Sequence, residues 1–159
     1  MVLDRYGIFE DDQTKPIAFV VETERSIAKR ASVSFGNPYY PESKVKEEVD
    51  KIAMRLPEID QYLIREDVSL MTASFENAED SIRLGVRLLT YDEIREYREK
   101  LGCMFQYWTM TAWAALADLV ITATGENCRA AYDRCTLMNR TRLCCALDAD
   151  MEIEGEEKE

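Results

Sequence analysis

Two kinds of side chain in this sequence could do covalent or proton chemistry: one isolated carboxylate and a set of thiols. Asp118 is the single charged residue between Cys103 and Thr124. An acid among apolar neighbours has its charged form disfavoured, so it could serve as a general acid or base. The competing reading is a carboxylate on the polar stripe of a helix, wet or paired with an arginine of the last helix. That reading is preferred, because no second catalytic group can be named beside it. The thiols are Cys103, Cys128, Cys135, Cys144 and Cys145. Nucleophilic or metal-binding cysteine needs a thiolate, and this chain has no histidine to make one. The same absence removes Ser–His and Cys–His catalysis, His-ligated metals and imidazole switching. No pair has C-x-x-C spacing. An odd count without a secretory signal suits reduced, buried thiols in a cytosol.

A third candidate is the run Asp148-x-Asp150-x-Glu152-x-Glu154, with Glu159 at the twelfth position. It imitates the start of a calcium loop, but the glycine required at the sixth position is Ile153. No metal and no cofactor are assigned. No phosphate-binding glycine loop, dinucleotide fingerprint, serine elbow or zinc-protease motif is present.

Charge is more informative. The 159 residues hold 20 bases and 31 acids, a formal net charge of −11. Seven acids and one base fall in residues 148–159, so this stretch carries −6 and the rest −5. Direct nucleic-acid binding needs Lys and Arg to displace counterions, so it is not expected. A basic protein surface is the natural partner.

The elements that must position these residues are read from periodicity. Residues 103–124 hold both tryptophans. Phe105, Trp108, Ala112, Ala115 and Leu119 recur in steps of three or four, as do Met110, Trp113, Leu116 and Val120. The spacing predicts a buried helix of ~33 Å. A membrane span is disfavoured by Asp118, at ~2.5–3.5 kcal/mol near a bilayer centre, and by four threonines. The first ten residues, with Asp4, Arg5 and Glu10, lack the apolar run of a signal peptide. The expected location is therefore cytoplasmic.

Ile17–Glu22 and residues 27–35 are read as a hairpin, with a short helix over 23–31 as the rival. Ser43 is the expected N-cap of an amphipathic helix through Leu56, stopped by Pro57. Residues 68–75 and 82–88 are read as a second hairpin, with Arg83 and Arg87 facing away from the core. Thr90 and Glu93 have capping-box spacing. A last helix is expected over residues 127–147. The sum is an α+β domain over 1–147. Two hairpins form an antiparallel sheet in the order ββαββ, packed with a C-terminal set of helices around 103–124. Residues 148–159 are read as a disordered acidic tail.

The function expected is non-enzymatic: a small acidic regulator or inhibitor that occupies a basic, possibly nucleic-acid-binding, surface of a protein partner. Phage-type anti-defence proteins, anti-CRISPR or anti-restriction, share this profile by general analogy. The partner-binding residues expected are Tyr39, Tyr40, Glu47, Glu48, Asp150, Glu152, Glu154 and Glu156. Tyr39 and Tyr40 sit between Pro38 and Pro41, and tyrosine is favoured at interfaces. The alternative is a phage or mobile-element assembly factor that forms a homo-oligomer through its helices. A carboxylate and metal enzyme built on Asp118 ranks third.

Overall fold

The fold is that of a computed structural model, which describes residues 1–149. It is mostly β, with 39% strand and 22% helix, and only one of its five helices reaches seven residues. The expected C-terminal helices are therefore strands. This corrects the sequence-based fold.

β1 (Val2–Glu10) and β2 (Gln13–Val21) form an antiparallel hairpin. Asp11 and Asp12 turn it, with φ of 51° and 60°. Two left-handed residues make the tight turn whose twist matches a hairpin. Next come α1 (Glu24–Ala28) and the short β3 (Val33–Ser34). The expected hairpin of Ile17–Glu22 with residues 27–35 does not form, since Val33–Ser34 pairs with Met138–Asn139. The rival helix is present over Glu24–Ala28, and Thr23 caps it by accepting the Ser26 N–H.

α2 (Lys44–Ala53) begins where expected, with Ser43 accepting the Lys46 N–H and Val45 and Val49 fully buried. α3 (Pro57–Asp60) leads into β4 (Leu63–Ile64). β5 (Glu66–Ser69) and β6 (Ser81–Leu84) make a hairpin, and β7 (Arg87–Leu88) follows. The capping box of α4 (Tyr91–Glu96) is formed on both sides by Thr90 and Glu93. α5 (Arg98–Leu101) ends at Gly102. A Cβ on Gly102 would run into the backbone carbonyl of Glu126, so only glycine fits there.

The stretch expected as the long helix is β8 (Tyr107–Ala112), a turn over 113–118, and β9 (Leu119–Thr124). The physical reason is burial on both faces. Tyr107 and Ala123 enter one core cluster, while Trp108, Met110 and Val120 enter the other. A strand buried on both sides shows no alternation, and alanines in the turn added false helical spacing. Aromatic and β-branched residues, which favour strands, were the better guide.

The expected last helix is β10 (Arg129–Arg134), β11 (Met138–Asn139) and β12 (Leu143–Asp148). β12 is central: it pairs with β2 on one side and with β4 and β7 on the other. β10, β9 and β8 form a three-stranded antiparallel sheet in that order. Cys128 and Cys135, expected on one helix face, flank β10 and enter different clusters.

Arginines of the C-terminal segment stitch these layers together. Arg140 donates to the carbonyls of Ile27, Ala28 and Arg30, which closes the end of α1, and lies 4.4 Å from the Phe105 ring centre. Arg142, 2% exposed, donates to the carbonyls of Glu22 and Leu101.

Candidate protein-binding surface

The expected contact residues do not converge. Tyr39 is on the surface, but Tyr40 is 1% exposed and its ring packs 6.3 Å from Phe35. Tyr40 is a core residue, so only half of the tyrosine pair can meet a partner. On α2, Glu47 is exposed and Glu48 half-buried. Lys44, Lys46 and Lys51 balance Glu47, Glu48 and Asp50 along that helix, so its face is not acidic. Asp150, Glu152, Glu154 and Glu156 lie outside the described residues.

Asp118 is exposed at the end of the β8–β9 turn, and its backbone carbonyl accepts the Cys135 N–H. It is not in an apolar pocket. All five cysteines are buried and free. Burial raises the thiol pKa of Cys128, Cys135 and Cys144, and pushes Cys145 up to about 11. Protonated, enclosed thiols are packing groups. Among the described residues, no three His, Cys, Asp or Glu side chains are grouped to hold a metal.

The group of ionisable residues that sequence reasoning missed surrounds Arg87. This side chain is buried, not turned away from the core, and lines a cleft of about 270 Å³ with Glu66 and Glu93. Its guanidinium grips Glu93 through both oxygens, at 2.7 and 2.8 Å, and Glu66 sits 3.8 Å away. Glu93 also accepts the Thr90 N–H and hydroxyl. Glu66 accepts the Tyr6 hydroxyl at 3.0 Å, and burial together with that carboxylate raises the Tyr6 pKa. The acids here hold a buried cation and a helix start. Among the described residues Arg87 Nε is buried without a hydrogen-bond partner, but the contacts of both acids are with the protein's own groups, so the cleft reads as structural.

The surface with unspent groups is built by two loops. Residues 70–80 connect β5 to β6, and residues 113–118 connect β8 to β9. Ala73 N–H donates to the Ala112 carbonyl and Ser74 N–H to the Trp113 carbonyl, at 2.9 and 3.1 Å. In return, Ala115 N–H donates to Glu76 Oε1 at 3.1 Å, and the Ser74 hydroxyl donates to the same oxygen at 2.8 Å. Within the first loop, Thr72 accepts the Glu76 N–H through its hydroxyl, and Phe75 N–H closes on the Thr72 carbonyl. The two bonds to Glu76 hold its carboxyl below the usual carboxylate range.

This network fixes an unfavourable backbone. Phe75 has φ of 69° and Asn77 of 60°. A bulky residue in the left-handed region costs about 1–3 kcal/mol and persists only where its surroundings hold it. The result is that Phe75 projects outward, 77% exposed. On the adjoining turn, Leu116 is fully exposed and Trp113 is 43% exposed. The Trp113 ring packs at a tilt, 5.4 Å from that of Tyr132 of β10, itself 54% exposed. Beside this apolar crest, residues 70–80 contain Glu76, Glu79 and Asp80 and no base, and Asp118 ends the neighbouring turn, with Arg134 of β10 opposite Leu119 next to it.

The sequence held a partial signal for this surface. The hairpin read over 68–75 and 82–88 puts its connection one residue past Phe75, while the helical spacing over 103–124 buries Trp113 and Leu116. No family model, no curated protein and no solved structure matches the chain. No described helix is long and apolar enough to cross a membrane.

Proposed function

We propose that this chain is a non-enzymatic binding protein. It docks through Phe75, Trp113, Leu116 and Tyr132 onto an apolar pocket of a protein partner, and the acidic rim meets Lys or Arg around that pocket. The carrying observation is Phe75: a large apolar ring held outward on a strained, hydrogen-bonded loop. Ordering such a ring in advance lowers the entropy lost on binding. Clustered exposed aromatics are the usual anchors of protein interfaces. The acidic rim supplies steering and register more than affinity. A regulator or inhibitor that covers a basic surface fits this chemistry. Within that class, size and overall acidity favour an anti-defence role of the anti-CRISPR or anti-restriction kind.

The assembly-factor alternative loses its basis, because the helix pair it required is made of strands.

The test is a peptide selection by phage display on the immobilised chain, repeated on the F75S/L116S variant. Wild type should enrich peptides that combine Lys or Arg with aromatic or aliphatic anchors, and the variant should not. Equal enrichment on both, or peptides without basic residues, overturns the reading.

A further inference from the structure

β10 is an edge strand. Among the described residues it pairs with β9 alone. Every second residue of such a strand turns its N–H and C=O away from its neighbour, which leaves a template for another chain. Arginines at both ends, Arg129 and Arg134, could simply blunt that edge. A groove beside it argues for more. An open groove of about 320 Å³ runs between α4–α5 and the start of β10, lined by Tyr91, Ile94, Arg95, Arg98, Cys128, Arg129 and Ala130. Three arginines from three elements meet there without one carboxylate. Among the described residues, none of the three is in an ion pair. Arg98 donates only to the Asn127 carbonyl, and Arg95 lies over the Tyr91 ring. Arg95 and Arg98 also border the adjoining cleft that holds Asp4, Glu96, Glu99 and Glu126, but on the β10 side the lining is basic and apolar, which in a chain of net charge −11 marks a place for a negative ligand.

We propose that the edge of β10 and this groove take an extended acidic peptide from a second protein, by strand addition. The open backbone decides between a peptide and a nucleic acid, because only a peptide can pair with it. Main-chain bonds to β10 give affinity, and Asp or Glu side chains over Arg95, Arg98 and Arg129 give direction and selectivity. The apolar parts of Ile94 and Tyr91 floor the groove, so alternating acidic and aliphatic residues suit it best. This contact adjoins the Phe75 crest at Tyr132 of β10 and at Tyr91 and Arg95, so the substitutions that test it are made at Arg98 and Arg129, which are not part of the crest.

The probe is a labelled synthetic peptide of alternating glutamate and valine, followed by fluorescence anisotropy at low salt with the full chain. Wild type should bind it, and bind a lysine–valine peptide at least ~10-fold more weakly. R98E and R129E, both at exposed positions on separate elements, should each weaken binding by roughly tenfold, as expected for one or two lost charge-assisted contacts. Melting temperatures recorded beside them show that the fold is intact, and either variant alone carries the test. Two further peptides, N-methylated on odd or on even residues, report strand addition: one should bind and the other should not. No binding by wild type, unchanged binding by R98E and R129E, or equal binding of both methylated peptides overturns the proposal. So does binding that appears only in the full chain carrying D150N/E152Q/E154Q, since the groove then belongs to the chain's own acidic segment.

Discussion

Glu76 accepts the backbone N–H of Ala115 at 3.1 Å, across two loops that are far apart in the chain. That one bond, with the Ser74 hydroxyl beside it, ties the Phe75 loop to the turn that carries Trp113 and Leu116. The pairing of these two loops is therefore pH-dependent in a defined sense. The Glu76 carboxyl is held below its usual range, first by the Ala115 N–H and then by Ser74. Its contribution is complete above the ordinary carboxylate pKa and is lost as pH falls through the lowered value. The Ala115 amide resonance should titrate with a midpoint below the ordinary glutamate range. In E76Q that titration should vanish. A midpoint at or above the ordinary value contradicts the clip.

Arg87 and Glu93 should behave as a buried pair that cannot lose one member. Arg87→Met leaves Glu93 and Glu66 facing each other without their cation, and loosens the start of α4. Breaking such a pair costs roughly 3–5 kcal/mol. Urea unfolding should show that loss, whereas R83M, at an exposed pair of 3.6 Å, should cost under ~1 kcal/mol.

The two tryptophans should separate cleanly. Trp108 is fully buried, lies edge-on to Phe35 at 5.2 Å, and donates its indole N–H to the Val33 carbonyl. Trp108→Ala should cost about 3–5 kcal/mol. Trp113→Ala should cost under ~1 kcal/mol, because its ring is displayed on the surface. In W108F only Trp113 emits, and acrylamide should quench it readily. In W113F the remaining Trp108 should resist quenching.

Gly102→Ala places a methyl group against the Glu126 carbonyl. The obstacle is backbone, so the cost should reach about 3 kcal/mol, the upper end for overpacking. Thermal unfolding checks this, and an unchanged midpoint removes the close approach of α5 to the β9–β10 turn.

Local signals in the sequence were legible where they were local in fact. The Ser43 cap, the Val45 and Val49 stripe, and the Thr90–Glu93 box all form as their spacing requires. What misled was burial on both faces. β8, β9 and β12 are interior strands, so they lack the alternation that separates strand from helix. Arg87 was hidden for the opposite reason. It alternates correctly with Val86 and Leu88, yet points to a cleft whose acids come from β5 and α4. The Phe75 crest needs the meeting of loops 70–80 and 113–118, a long-range contact that neither loop announces by itself. Tyr39 and Tyr40 looked alike in sequence, and only packing against Phe35 tells them apart.

The most direct measurement is the affinity of a basic, aromatic-anchored peptide selected on wild type, compared between wild type and F75S/L116S by isothermal titration. Both positions are solvent-exposed, so the variant should melt as wild type does. Two anchor side chains at about 2 kcal/mol each correspond to a loss of several hundredfold or more in affinity. Affinity unchanged within about threefold, in a variant that folds normally, would show that binding does not run through the Phe75 crest.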